Sequence, residues 1–217
     1  MRIGIEINGV LRNTIEKITQ IYQKNYIDNN LDYYAGQTYK IDLSGNTEEE
    51  LSSEPFKYEM SLPVTSLNLM EHFKFQNNEE YYSFLYEEHP MEIFGHAPSS
   101  EYTTFNDLQE IYLKYRNENE LIIVSDEIGK SKPSSLFFLS KFGCEVEKIK
   151  FYSNFTIDSM WDEIDVLITS NPNLLLEHPE KKIIIKYNTS YNEEIKSDYS
   201  INKLKELDSI LKQIIKC

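Results

Sequence analysis

Short apolar segments alternate with longer amphipathic ones along most of this chain. Ile3, Ile5 and Ile7 predict a buried strand at the start, and the uninterrupted apolar run at 121–124 predicts a strand covered on both faces. Further short apolar runs predict strands at 149–151, 166–168 and 183–185. Strands that alternate with helices favour an α/β fold in which helices cover both faces of a parallel, Rossmann-like sheet.

Two predicted helices have polar residues suited to capping their first turns. Asn13 follows a turn at Asn8-Gly9 and has Glu16 three residues later, which predicts a capped helix start. The apolar face of this helix is expected to comprise Ile15, Ile18, Tyr22 and Tyr26. Thr104 predicts the cap of a second helix. Its apolar face is expected to comprise Leu108, Ile111, Tyr112 and Tyr115.

Two more helices are predicted towards the C-terminus. Pro133 suits the first turn of a helix and Gly143 suits its end, so we expect a helix between them. The residues expected on its buried side are Leu136, Phe137 and Leu139. A closing amphipathic helix is predicted through Ile201, Leu204, Leu207, Leu211 and Ile214.

The segment 31–99 interrupts this alternation, since only 78–88 has a helical pattern and no buried strand is evident. We therefore expect an α/β core formed by 1–30 and 100–217, with 31–99 as a cap-like insertion. An irregular excursion packed on the core is the alternative. The aromatic residues of the insertion predict either its hydrophobic floor or a protein contact surface. They are Phe73, Phe75, Tyr81, Tyr82, Phe84, Tyr86 and Phe94.

Composition narrows the possible partners. The chain has 217 residues, is 40% hydrophobic, and carries 36 acidic against 22 basic residues, for a net charge of −14. Such acidity repels phosphate backbones, so a nucleic-acid partner is not expected. No apolar run approaches the length of a membrane span, and two cysteines do not suffice for a disulfide framework. We expect a location inside the cell, in the cytoplasm, or within a virus particle.

Residues 2–14, RIGIEINGVLRNT, resemble the first motif of the haloacid dehalogenase superfamily, in particular its 5′-nucleotidase-like phosphatases. That motif is an apolar strand followed by Asp-x-Asp-Gly-Val/Thr. Glu6 and Asn8 stand at the two aspartate positions. The resemblance implies an α/β core of the same family type, with an inserted cap.

Three later segments match the same family, the last of them only in part. Ser125, at the end of the second core strand, matches the Ser or Thr of the second motif, and Lys130 or Lys132 matches the family's lysine. The fourth motif has acidic residues after an apolar strand, often followed by Asn-Pro. Here Thr169 and Ser170 occupy the acidic positions, just before Asn171-Pro172.

These departures predict a lost active site. The resemblance implies that the first aspartate attacks phosphorus, the second transfers a proton, and the motif-four acids help to hold Mg²⁺. The longer side chain of Glu6 moves the attacking oxygen by roughly 1 Å, and Asn8 has no proton to transfer. We therefore expect no catalytic activity, no metal and no cofactor. The degenerate positions are Glu6, Asn8, Ser125, Lys132, Thr169 and Ser170.

The leading hypothesis is an inactive protein that serves as a structural or interaction subunit, either as a homo-oligomer or in a larger assembly such as a phage or virus particle. One alternative is a divergent Mg²⁺-dependent phosphatase for nucleotides or phosphate esters that uses Glu6. Another is a phosphate-ligand sensor built on Ser125 and the helix start near Lys132. Asp126 and Glu127 are expected on a solvated loop instead of in a replacement metal site.

Overall fold

A computed structural model describes residues 1–28, 56–153 and 155–216. Six strands form one sheet, in the order β3-β2-β1-β4-β5-β6, and every neighbouring pair is parallel. The strands are β1 (Arg2–Glu6), β2 (Glu120–Ser125), β3 (Lys148–Phe151), β4 (Val166–Thr169), β5 (Ile183–Tyr187) and β6 (Tyr199–Ile201). The predicted parallel α/β fold is confirmed.

Helices connect the strands and cover the sheet. The α-helices are α1 (Thr14–Tyr22), α2 (Asn78–Ser83), α3 (Thr104–Tyr115), α4 (Ser131–Lys141), α5 (Ile157–Glu163), α6 (Pro172–Leu176) and α7 (Leu207–Lys216). Asn13 caps α1 by accepting a hydrogen bond from the Glu16 amide, as predicted. Thr104 is the first residue of α3, whereas a cap was predicted there. Throughout the described residues, every helix is too short or too polar to cross a lipid bilayer.

Alternating side chains divide the core between the two faces of the sheet. On β2, Leu121 and Ile123 join the larger cluster, which contains α3, α4 and α7, whereas Ile122 and Val124 join the cluster around α5 and α6. This alternation follows from the period of two along a strand. The central strands are therefore buried on both sides, which explains their uninterrupted apolar sequence.

The described part of the insertion packs against α1. Ile18, Ile21 and Tyr22 of α1 form one apolar cluster with residues of the insertion. Four of the aromatic residues singled out from the sequence are buried in or around it: Phe73, Phe75, Phe84 and Phe94. They form the hydrophobic floor of the insertion, whereas Tyr82 is 54% exposed. The predicted insertion residues 31–55 lie outside the described part of the chain.

The predicted buried side of α4 is wrong at two positions. Leu136 is 45% and Phe137 41% exposed, whereas Ser134 and Ser135 are buried beside Phe138. In this orientation Phe138 and Leu139 are buried, and the Ser135 hydroxyl accepts a hydrogen bond from the buried Arg12 guanidinium. The predicted closing helix is also shorter than expected. It begins at Leu207, and Ile201 belongs to β6.

Both edges of the sheet are short. β6 has three residues, and β3 has four, of which Lys148 and Ile149 are exposed. The two lysines of β3 form ion pairs with Glu120 and Glu163, on neighbouring elements. Strands β2, β1 and β4 lie in the middle of the sheet, and the candidate site is at their carboxyl ends.

Candidate functional site

The carboxyl ends of β2, β1 and β4 bring together three of the residues singled out from the sequence. β1 lies between the other two strands. Glu6, Ser125 and Thr169 are the last residues of the three strands, and all are buried. In open α/β sheets, ligands bind at this edge, so the predicted site residues occupy the expected place.

Glu6 is the central residue of this edge and is 1% exposed. One carboxyl oxygen is hydrogen-bonded to the Tyr152 hydroxyl at 3.0 Å and the other to the Thr169 hydroxyl. Burial raises the pKa of Glu6 to about 8 and the negative charge of Asp126 adds to the rise, whereas the hydrogen bonds from Thr169, Tyr152 and the Ser170 backbone oppose it. The Glu6 side chain is therefore mostly protonated at neutral pH.

Asn8 connects a buried cation with two carboxylates. Its side-chain oxygen accepts hydrogen bonds from Arg12 at 2.6 Å and from the Thr14 hydroxyl at 2.7 Å. Its side-chain nitrogen donates to Asp126 at 2.9 Å and to Glu127 at 3.2 Å. These partners fix the orientation of the amide, because the reversed amide would face donors with its nitrogen. The side chain is held on both ends and carries no transferable proton.

Arg12 supplies the positive charge of the site, and sequence reasoning missed it. The side chain is fully buried, and its guanidinium packs on the rings of Phe94 and Phe138, 5.1 and 5.2 Å from their centroids. All of its N–H donors are used. The acceptors are Asn8, Thr14, Ser135, Glu127 and the backbone oxygen of Phe94. No donor of this guanidinium is left for a phosphate.

Glu127 is the counter-ion of Arg12, and the pair is buried. The second carboxyl oxygen of Glu127 accepts a hydrogen bond from the Ser125 hydroxyl. The expectation of a solvated loop is correct for Asp126, which is exposed, and wrong for Glu127, which is 2% exposed. Glu127 lies inside because a buried guanidinium is stable only beside an opposite charge.

Ser170 packs against the turn that follows β1. Its hydroxyl donates to the backbone oxygen of Asn8 at 3.1 Å and is hydrogen-bonded to the Tyr191 hydroxyl at 2.9 Å. Gly9, with φ of 75°, passes so near that an added methyl group would overlap both hydroxyls. Only glycine fits at this turn, on conformational and on steric grounds.

Comparison with known proteins finds similarity in structure. No protein-family model and no curated protein matches the chain. A haloacid dehalogenase-like hydrolase from Burkholderia xenovorans LB400 has a similar structure, with a TM-score of 0.55 and 10% identity over 99% of this chain and 97% of that one. The chain has a haloacid-dehalogenase-like fold. A dehalogenase with an intermediate complex is more distant, at a TM-score of 0.48 and 11% identity over 96% of each chain.

Three of the site residues predicted from the sequence lie at the ends of the central strands of this fold. Glu6, Ser125 and Thr169 end the three central strands in the arrangement that the sequence resemblance implies. At 10% identity the similarity extends to the fold. The 5′-nucleotidase-like branch and the loss of catalysis stay predictions.

The two candidate lysines lie apart from the hydrogen-bonded network. Lys132, at the start of α4, is exposed, and its ammonium lies over the Phe151 ring at 5.6 Å. Lys130 forms an ion pair with Glu87 at 2.5 Å. Neither lysine is hydrogen-bonded to Ser125 or Glu6, so the network has Arg12 as its cation.

The donor set at these strand ends does not fit Mg²⁺, the metal that the sequence resemblance implies. Hard cations require several oxygen ligands with free lone pairs, most of them charged. Here both oxygens of Glu6 are hydrogen-bonded to hydroxyls, and the Ser170 hydroxyl donates to the Asn8 backbone oxygen. Hydroxyl donors thus lie where a cation would need acceptors. Across the described residues, no group of three or more His, Cys, Asp or Glu side chains is placed to hold a metal.

Proposed function

We propose that this chain is a catalytically inactive protein of the haloacid-dehalogenase-like fold and serves as a structural or interaction subunit of a larger assembly. The burial and hydrogen bonding of the Glu6 side chain are the main observations that support the loss of catalysis. Attack on phosphorus requires an accessible, ionised carboxylate. Glu6 is 1% exposed, hydrogen-bonded at both oxygens, and has its pKa raised to about 8 by burial.

The neighbours of Glu6 support the same proposal. Asn8 cannot act as a general acid, and its amide is held between Arg12 and the two carboxylates. Arg12 forms an internal ion pair with Glu127 instead of presenting its charge to a ligand. The polar side chains at this edge thus form hydrogen bonds and an ion pair with one another, as they do in networks that stabilise a fold.

The same contacts disfavour both alternatives. A Glu6-dependent phosphatase would need a metal site that the hydroxyl donors of Thr169 and Ser170 do not provide. A phosphate sensor would need the Ser125 hydroxyl, which donates to Glu127. The carboxylate of Asp126 would also repel an anion at this edge.

An apolar surface on α4 supports the proposed interaction role. Leu136 and Phe137 are 45% and 41% exposed, and Met91 is 42% exposed. Met91 and Phe137 both lie close to the position that a Cβ atom would take at Gly95, which makes them neighbours. We propose that this Met91–Leu136–Phe137 surface takes part in protein contacts, since large apolar and aromatic side chains are enriched in the centres of interfaces.

A phosphatase assay tests the loss of catalysis. The unmodified protein, Glu6→Ala and the double variant Glu6→Asp with Asn8→Asp are incubated with Mg²⁺ and nucleoside monophosphates. We expect no turnover by the unmodified protein. Turnover that Glu6→Ala abolishes and that Glu110→Gln leaves unchanged would overturn the proposal. Glu110 is a suitable control because it is exposed on α3.

Light scattering after size exclusion tests the interaction role. We expect the unmodified protein to form an oligomer that Phe137→Ser dissociates. Leu176→Ser is the matched control, because Leu176 is 67% exposed and belongs to α6, on the opposite face of the sheet. A monomer at high protein concentration, or an oligomer unaffected by Phe137→Ser, would contradict a homo-oligomer formed through this surface.

A further inference from the structure

The insertion and the sheet have separate apolar clusters. The cluster of the insertion includes residues of α1 and none of a strand, whereas the clusters on the two faces of the sheet include none of residues 56–99. Apolar burial holds each cluster together, and proteins open locally in units of this kind. The two parts also meet at the surface, where the His96 ring lies 5.1 Å from the half-exposed Phe137 ring of α4.

The buried guanidinium of Arg12 joins these two parts. It packs on the ring of Phe94, which belongs to the insertion cluster, and on the ring of Phe138, which belongs to the cluster that contains α4. Its Nη1 atom donates to the Phe94 backbone oxygen and to the Ser135 hydroxyl, each at 2.7 Å. One nitrogen atom thus connects the insertion to α4.

The positive charge of Arg12 makes this connection strong. Arg12 is fully buried and forms its ion pair with Glu127, which follows β2. If the insertion moved away from the core, Nη1 would lose the Phe94 oxygen, and the guanidinium would lose one of its two aromatic rings. Hydrogen bonds of charged groups are roughly twice as strong as those between neutral groups. Separation at this point is therefore opposed by a charge-assisted hydrogen bond and a cation–π contact.

A second connection joins the insertion to the loop after β5. The Ser190 hydroxyl donates to the Val64 backbone oxygen at 2.7 Å, and Val64 is 3% exposed in the insertion cluster. The loop is itself held to the sheet, since the ammonium of Lys186, on β5, donates to the Ile195 backbone oxygen at 2.7 Å. Val64 and Phe94 are far apart in the sequence of the insertion. The insertion is thus attached to the core at two separate places.

We propose that Arg12 and Ser190 attach the insertion to the α/β core and thereby limit its opening as a separate unit. The two connections differ in kind, because the first involves a buried charge and the second a neutral hydroxyl. The first is therefore expected to contribute more. This inference concerns the coupling of the insertion to the core, and it stands whether or not the strand-end site is catalytic.

Native-state hydrogen exchange of the full chain, measured residue by residue by NMR, tests the proposal. The readout is a ratio of protection factors, in which the slowest-exchanging amides of residues 56–94 are compared with the slowest in β1 and β2. Global unfolding exposes both groups of amides together, so a variant that only destabilises the whole protein does not lower this ratio. Opening of the insertion alone does lower it.

Two variants each remove one connection. The double variant Arg12→Met with Glu127→Gln leaves no buried charge unpaired, and it is expected to lower the ratio about 10- to 100-fold, as for a hydrogen bond to a charged group. Ser190→Ala is expected to lower it about 2- to 10-fold, as for a neutral hydrogen bond. Arg2→Met is the matched control, because Arg2 forms its ion pair with Asp165 inside the core, and the ratio is expected to stay unchanged.

Circular dichroism establishes that each variant is folded. An unchanged ratio in a folded variant would overturn the connection that the variant removes, and an equal fall in Arg2→Met would overturn both. If the Arg12 double variant does not fold, Ser190→Ala decides alone, and an unchanged ratio there would overturn the proposal.

Discussion

Replacing Glu6 with glutamine tests whether this carboxyl group is protonated in the folded protein. Burial raises the pKa of Glu6 from 4.5 to about 8. Between these two values the folded state keeps a proton that the unfolded chain has lost, so the free energy of unfolding falls as pH rises. At about 1.36 kcal/mol per pKa unit, the fall amounts to roughly 3 kcal/mol by pH 7 and roughly 5 kcal/mol above pH 8.

Glutamine imitates the protonated carboxyl group, because each has one acceptor end and one donor end. The hydroxyls of Tyr152 and Thr169 can rotate to suit either side chain. Glu6→Gln is therefore expected to be more stable than the unmodified protein by about 3 kcal/mol near pH 7. The expected gain is below about 1 kcal/mol near pH 5 and close to about 5 kcal/mol near pH 9.

Urea unfolding monitored by circular dichroism at these three pH values measures the difference. Other groups titrate in both proteins alike, so their contributions cancel when the two free energies of unfolding are subtracted. Glu110→Gln, at an exposed position of α3, is the control and is expected to change the free energy of unfolding by less than about 0.5 kcal/mol. A gain for Glu6→Gln that is equal near pH 5 and pH 9 would refute the reasoning, because it would show that Glu6 is ionised in the folded protein.

Four further substitutions test contacts in the fold, each by urea unfolding. Arg12→Ala is expected to cost roughly 3–5 kcal/mol, since it leaves the buried Glu127 carboxylate unpaired; a small loss would show that Glu127 becomes solvated. Gly9→Ala is expected to cost about 1–3 kcal/mol or more, because its φ of 75° disfavours a side chain and a methyl group would overlap two hydroxyls. Phe138→Ala is expected to cost about 3–5 kcal/mol and Phe137→Ala much less, and the reverse order would contradict the orientation of α4.

The strand ends of the core could be predicted from the sequence, because a buried parallel strand leaves an uninterrupted apolar run that ends where the polar residues begin. Ser125 and Thr169 were placed in this way, and both end central strands beside Glu6. The helix start at Asn13 was also predictable, since a cap is a local hydrogen bond between neighbouring residues.

The burial of Arg12 could not be predicted, because no local pattern encodes it. An arginine beside a turn usually extends into solvent, and the acceptors of this one come from segments that are distant in sequence, including Phe94, Glu127 and Ser135. Helix α4 turns Ser135 toward this guanidinium. Its apolar residues are almost evenly distributed around the helix, so periodicity alone did not identify the side that faces the core. β6 was missed because three residues are too few to show a period.

The short outer strands of the sheet limit how copies of this protein can associate. An exposed strand edge is a template for pairing with another chain, and natural proteins protect it with short strands and lysines. β6 offers three residues, and β3 carries Lys148 and Lys150, each held in an ion pair. Continuous sheets that run from one molecule to the next are therefore disfavoured at both ends. Even at high local concentration, molecules of this chain are expected to associate through side-chain contacts. Backbone hydrogen bonds between the sheets of two molecules are not expected.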